Sequence, residues 1–233
     1  MKLNITDCKN CKSFNTSVFC GLNADFLRDI DLKKKGYFFP KGKTIFLQGD
    51  HSNGIHCITS GKVKIYKFGV DKNQIVRVAN KSDIIGYRSL VSNEVFSASA
   101  EALEDTHTCY IPKRVFFNLI DNDKGFTLKL MRILSKNLKD AESNSMNIAQ
   151  KTVIQRLAEF IILKHKSLEE EKRIKIYSLY FSRKDLAAIL GCANETLIRA
   201  LSHLKKEKLI NIDKKEIIIR DIKKLYRIAN LFD

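Results

Sequence analysis

The sequence predicts an α+β chain: a double-sheet jelly roll, one long helix, and a small helical domain closed by a β-hairpin. Residues 41–102 hold short runs of alternating polarity separated by glycines. Residues 126–150 keep a helical apolar spacing without interruption. Residues 181–220 read as a helix, a glycine turn, a second helix and two isoleucine-rich strands. At 233 residues the chain is long enough to bury two cores. Four segments result: a cysteine-rich stretch at 1–21, the roll at 22–125, the long helix at 126–150, and the C-terminal domain at 151–233.

The first segment has no helical period and few apolar residues, yet it carries Cys8, Cys11 and Cys20. No apolar run approaches membrane-spanning length and no signal peptide leads the chain, so a cytoplasmic protein is expected. In that compartment six cysteines argue for metal or redox chemistry over disulfides. Two thiolates in a Cys-x-x-Cys reach one metal centre, a third nearby adds a corner, and the fourth donor must come from elsewhere. Zinc, an iron–sulfur centre and a thiol redox pair all satisfy the pattern, and so does a segment that holds nothing. Cys57, in an alternating run, reads as core packing, and Cys192 as a small residue that fits a turn.

A short helix capped by Asn23 precedes the roll. Strands are expected within 41–50, 54–61, 62–68, 74–79 and 97–102, with glycines 42, 49, 54, 61, 69 and 86 supplying the corners. His51, His56 and His107 lack metal-ligand spacing, and no nucleophile–base or carboxylate pair stands out. A non-enzyme is expected. A helix over 113–121 and a break at Gly125 lead to the long helix. There Met131, Leu134, Leu138, Ala141, Ser145 and Ile148 follow the 3-4 spacing of a coiled-coil seam, the competing reading being a helix packed on its own roll. The seam holds no charged residue, so like-charge repulsion is not available to keep two copies apart. Residues 151–166 form an amphipathic helix, 167–173 a solvated loop and 175–177 a strand, with a closing helix over 222–233 that turns Leu225 and Ile228 inward.

The densest pattern lies at 181–220. Ser182 with Asp185 is a capping-box-like start, Leu186, Ile189 and Leu190 share a face, and Gly191 ends the helix. The second helix, 194–206, buries Leu197, Ala200, Leu201 and Leu204. Its other face offers Asn194, Glu195, Thr196, Ile198, Arg199 and His203, with Ser182 and Arg183 at the start of the first helix beside them. Residues 209–220 form a hairpin, a wing. This is how a helix-turn-helix offers side chains to the major groove. Charge agrees: 151–233 holds 19 Lys/Arg against 11 Asp/Glu, and 1–150 holds 23 against 15, so the same excess sits in about half the length. A lysine-rich composition would give the charge by itself, and a winged helix can also dock on protein.

The phrase GCANETLIRAL, preceded by SRKDLAAIL and followed by KKEKLI, resembles the winged helix-turn-helix of the Crp/Fnr transcription regulators. The resemblance implies that Arg199 reads a guanine edge and Glu195 accepts from a cytosine amine, within a Glu-Thr-x-x-Arg core that includes Thr196. Ile198 departs from the small polar residue many oxygen-sensing members carry. The roll resembles the cyclic-nucleotide-binding domain that heads the family. Here Tyr87 stands where a ribose-binding glutamate is expected, and Phe96 or Ser97 where the phosphate arginine belongs; Arg88 is out of place. Cyclic nucleotide is therefore not expected. Residues 108–112, TCYIP, resemble the segment that carries the fourth ligand in the oxygen-sensing branch, so Cys8, Cys11, Cys20 and Cys109 are implied as ligands of a [4Fe–4S] cluster. The third cysteine lies three residues further from the second than in the best-known pattern. A homodimer on a palindromic operator, oxygen or nitric oxide as signal, and RNA polymerase as partner are what the resemblance implies. The alternative is a regulator of the same type controlled by an effector in the roll, or by thiol redox or zinc chemistry.

Overall fold

A computed structural model describes residues 2–3, 6–70, 72–170, 177–178, 181–213 and 216–230. The chain divides into two compact units, Met1–Lys139 and Asp140–Asp233. The first is a roll of two antiparallel sheets with helices against one of them. Strands β1 (Lys2–Leu3), β2 (Lys35–Phe39), β4 (Gly54–Ser60), β7 (Ile84–Ile85) and β9 (Thr106–Pro112) form one sheet in the order β1-β2-β9-β4-β7. Strands β3 (Thr44–Phe46), β5 (Val63–Lys67), β6 (Gln74–Ala79) and β8 (Ser99–Ala102) form the other, in the order β3-β8-β5-β6. The expected roll is present; β1, β2, β7, β9 and a short helix α2 (Tyr87–Ser92) add to it.

The pleat gives the first sheet two working faces. Ile58 and Tyr37 both pair with Thr108, and Ile58 packs with Val63, Ala79 and Ala100 of the second sheet, so this face closes the roll. Ile55, Cys57, Cys109 and Ile111 point the other way. They join a core supplied by α1 (Ala24–Lys33), α3 (Lys113–Asn122) and the start of α4 (Lys124–Gln150), through Leu27, Ile30, Phe116, Leu119, Phe126 and Leu130. Val18, Phe19 and Leu22 of the cysteine-rich segment pack into the same core. Asn23 caps α1, its side chain accepting from the Phe26 N–H at 3.0 Å.

Two glycines do other work than expected. Gly125 lies inside α4; the break falls at Asp123, whose carboxylate accepts from the Phe126 N–H at 2.7 Å and caps the new helix. Gly54 opens β4 rather than making a corner. A Cβ there would sit 2.4 Å from the Ile111 carbonyl oxygen, so close approach of two backbones demands glycine.

In the second unit, α5 (Val153–Glu170) outruns its expected end. Residues 167–170 are helical because glutamates propagate a helix and no glycine or proline interrupts them, while 171–176 lie outside the described residues. The expected strand at 175–177 is described only from Tyr177, in β10 (Tyr177–Ser178). Helices α6 (Arg183–Leu190) and α7 (Asn194–Lys206) follow, then β11 (Ile210–Asp213) and β12 (Glu216–Ile219), paired antiparallel with Ile210 opposite Ile219. The sheet order is β10-β12-β11. Helix α8 (Ile222–Ala229) buries Leu225 and Ala229 and half-buries Ile228; residues 231–233 are outside the described ones. No helix among the described residues is long and apolar enough to cross a membrane.

Candidate thiol centre and nucleic-acid interface

Strand pairing places Cys57 of β4 directly opposite Cys109 of β9, on the face turned toward the helices. Over them lies the N-terminal segment, folded as two short 3-10 turns at Cys8–Asn10 and Phe14–Thr16. Cys8, Cys11, Cys57 and Cys109 line one cavity, with Phe14, Phe19, Ile30 and Ile111 as apolar walls and Lys34 as the one charged lining residue. Three of the four thiols implied by the resemblance are thus brought together across about a hundred residues of sequence. Cys20 is not among the lining residues. Its carbonyl accepts from Lys129 Nζ of α4, and Val18, Phe19 and Leu22 around it are buried in the core. Cys57, expected to be packing alone, does line the cavity. The signal that could have found it is its two-residue stagger from Ile55 in β4, a strand whose partner carries Cys109. None of the six cysteines is in a disulfide.

Lys34 reaches this cavity from a charged pair with Asp31. The Cys8 N–H donates to Asp31 Oδ1 at 2.9 Å, and Lys34 Nζ donates to the same oxygen at 2.6 Å, to the Thr6 carbonyl at 2.8 Å and to Cys8 Sγ at 3.3 Å. The Lys34 side chain is only 4% exposed. Burial pushes the Cys8 thiol up to about 12, helped by its hydrogen bond to Asp31 and opposed by the Lys34 charge. Cys109 rises to about 11, again through burial, and Cys57 rises through burial and the neighbouring Cys109. Asp31 is held below its ordinary value because the Lys34 and Cys8 hydrogen bonds outweigh partial burial. These thiols are protonated at neutral pH unless a metal takes the place of the proton.

The donor set suits a soft metal: several sulfurs, no competing carboxylate on the lining, and an ammonium to offset thiolate charge. In chemistry the residues fit a thiolate-bound cluster. Among the described residues, however, no three His, Cys, Asp or Glu side chains stand close enough together to hold a metal ion. The cavity measures about 30 Å³, room for a water-sized body.

The second unit presents a different kind of surface. Ser182 caps α6, its hydroxyl accepting from the Asp185 N–H at 3.0 Å, and Gly191 ends that helix at φ 67°. Helix α7 buries Leu197, Ala200, Leu201 and Leu204, as its spacing predicted. Asn194, Glu195, Ile198, Arg199 and His203 are exposed, with Thr196 half-buried. At the start of α6, Ser182 is exposed and Arg183 half-buried. Arg156 Nε donates to the Leu190 carbonyl at 2.9 Å, tying α5 to the end of α6. A firmly seated helix with an outward row of polar side chains, beside a hairpin, can lie in a major groove.

Residues 38–123 match the cyclic nucleotide-binding domain and residues 155–228 the Crp-like helix-turn-helix domain. The chain belongs to the Crp/Fnr family of transcription regulators. It is similar to the transcriptional activator protein Anr of Pseudomonas aeruginosa, 27% identical over 229 residues that cover 95% of this chain and 92% of that protein. The fumarate and nitrate reduction regulatory protein of Escherichia coli is 25% identical over 225 residues, covering 95% and 90%. Among solved structures, FixK2 from Bradyrhizobium japonicum has a TM-score of 0.73 at 22% identity, covering 86% of this chain and 99% of that one. A CooA variant from Carboxydothermus hydrogenoformans has a TM-score of 0.74 at 19% identity, covering 97% and 98%. The first two of these relatives are named as a transcriptional activator and a regulatory protein, and no enzyme family is indicated.

As in other members of the Crp/Fnr family, the first unit carries a nucleotide-type roll, and in this one half-buried aromatic rings cluster on the inward face of the first sheet. Tyr37, Phe39, His56 and Tyr110 meet edge to face or tilted, with centroids 5.1–6.1 Å apart. His56 shares a 3.0 Å hydrogen bond with Thr108, and burial drops its imidazole to about 4. Phe46 stacks on Phe96 at 4.0 Å. Tyr87, at the expected ribose-glutamate position, is 1% exposed and accepts from Asn137 Nδ2 of α4 at 2.6 Å. Arg88 and Ser97 point to solvent. The cassette has become a brace between roll and helix.

Proposed function

We propose that this Crp/Fnr regulator binds a palindromic operator as a homodimer and reports oxygen or nitric oxide through a [4Fe–4S] cluster held by its N-terminal segment and Cys109. The observation that carries the reading is the gathering of Cys8, Cys11 and Cys109 on one cavity from distant parts of the chain. Relatives named for anaerobic regulation and for fumarate and nitrate reduction support the signal. Tyr87 and Phe96 or Ser97, in place of the glutamate and arginine of a nucleotide cassette, speak against a cyclic nucleotide bound in the roll.

When bound, such a cluster supplies an anionic group that oxygen or nitric oxide destroys. The protein supplies the rest. Asp31 and Lys34 fix the Cys8 turn, and the Lys34 ammonium offsets thiolate charge. Phe19, in the same segment, stacks on Phe126 of α4 at 5.7 Å, and Lys129 of α4 donates to the Cys20 carbonyl. A shift of the cysteine turns therefore pushes on α4 through packed atoms. On α4 the seam is open: Met131 is 58% and Leu138 60% exposed, Ala141, Ser145 and Ile148 are exposed, and Leu134 is half-buried. A second copy covers that stripe, and two α7 helices then meet half-sites about one turn of DNA, roughly 34 Å, apart. Arg199 reads guanine and Glu195 cytosine on each half-site.

Protein purified without air tests the cluster. Iron and acid-labile sulfide at about four each per monomer, with a broad visible absorption that bleaches in air, are expected. Iron-free protein that binds its operator equally with and without air contradicts the reading.

A further inference from the structure

Cys8, Cys11 and Cys109 account for three donors; the cavity itself contains a fourth thiol, and it is not Cys20. We propose that Cys57 is the fourth ligand, so that the metal centre is held by Cys8, Cys11, Cys57 and Cys109. The assignment rests on the cluster reading above and changes its ligand set.

Register is the first support. Cys57 and Cys109 are opposed residues of antiparallel strands on the same face of the sheet. Such a pair keeps its Cβ atoms about 5 Å apart. Sulfurs on that base start from one side of the sheet, so both could serve as ligands of one cluster lying against it. The strand pair is thus a rigid half of a site, and the Cys8–Asn10 turn, with Cys11 after it, is the half that closes over it.

Position of Cys20 is the second. Its N–H donates to the Ser17 carbonyl at 3.2 Å and its own carbonyl accepts from Lys129. Phe19, the residue before it, already forms the cavity wall and stacks on Phe126. Bringing the Cys20 sulfur into the cavity displaces that ring from the core. The longer spacing between Cys11 and Cys20 fits this placement: the chain passes the cavity and enters the core before Cys20 is reached.

Full-length wild type, Cys20→Ser and Cys57→Ser, purified without air, separate the possibilities by iron, sulfide and zinc per monomer, visible absorption and far-UV circular dichroism. Metal in Cys20→Ser at the wild-type level is expected, with a drop of roughly tenfold or more in Cys57→Ser at unchanged helix and strand content. Retention in Cys57→Ser with loss in Cys20→Ser overturns the assignment while leaving the cluster reading intact. Wild type free of both iron and zinc overturns both, and it is read before either variant. If Cys57→Ser fails to fold, iodoacetamide on wild-type protein decides. Alkylation of Cys20 with the visible spectrum preserved supports Cys57; bleaching in step with Cys20 alkylation overturns it.

Discussion

The two functional regions are built on opposite plans. The DNA-reading face is local: cap, helix, glycine turn and recognition helix occupy a single short stretch, and each is held by its immediate neighbours. The thiol cavity is long-range: it takes residues from the N-terminal turns, α1, β4 and β9, and its shape depends on strand register and on a half-buried Lys34–Asp31 pair. A local surface is stable in outline and tunable residue by residue. A long-range site changes when any supporting element moves.

Removing a support shared by several elements should have the largest effect. Phe116 is fully buried between the thiol face and α4, and Phe116→Ala should cost the first unit about 3–5 kcal/mol in chemical denaturation. A cost under about 1 kcal/mol would show the core around the cavity to be looser than its packing indicates.

Substitution on the local face should act without touching the fold. Arg199→Ala should weaken operator binding by about 1–3 kcal/mol per half-site at fixed salt, with melting unchanged. Equal affinity for operator and random DNA in the wild type would instead make α7 a non-specific binder.

Acid should erode the roll in a definite window. His56 titrates near 4 when folded and near 6.5 when unfolded, so the unfolded chain takes the proton first. Its contribution is complete above about 6.5 and is lost as pH falls toward 4. In His56→Gln that part of the pH dependence of stability should disappear.

The smallest effect expected is at the α6 cap. Ser182→Ala removes the hydroxyl that accepts from the Asp185 N–H and should cost about 1 kcal/mol in thermal melting.

Legibility in the sequence follows the same division. The bounds of α7, the buried set Leu197, Ala200, Leu201 and Leu204, and the cap at Ser182 were readable because neighbours in sequence determine them. The strands β4, β5 and β6 were readable from their alternation. β2 was missed because Tyr37, Phe38 and Phe39 are all half-buried and show no alternation. Gly125 misled because the stop signal there is the Asp123 carboxylate, a cap, and glycine is tolerated in the first turn that follows. At the thiol site, Cys8, Cys11 and Cys109 were readable as a set only through the family resemblance. The place of Cys57 opposite Cys109 depends on the register of β4 against β9, which no local pattern encodes.

One event at the cysteine segment should govern the DNA-reading face. This is tested most directly by operator affinity, measured on a single anaerobic preparation before and after admission of air, with cluster absorption followed in the same cuvette. Tight, sequence-specific binding is expected while the visible band is present, with a fall in affinity that tracks its loss. Affinity that stays constant while the band bleaches would contradict that expectation.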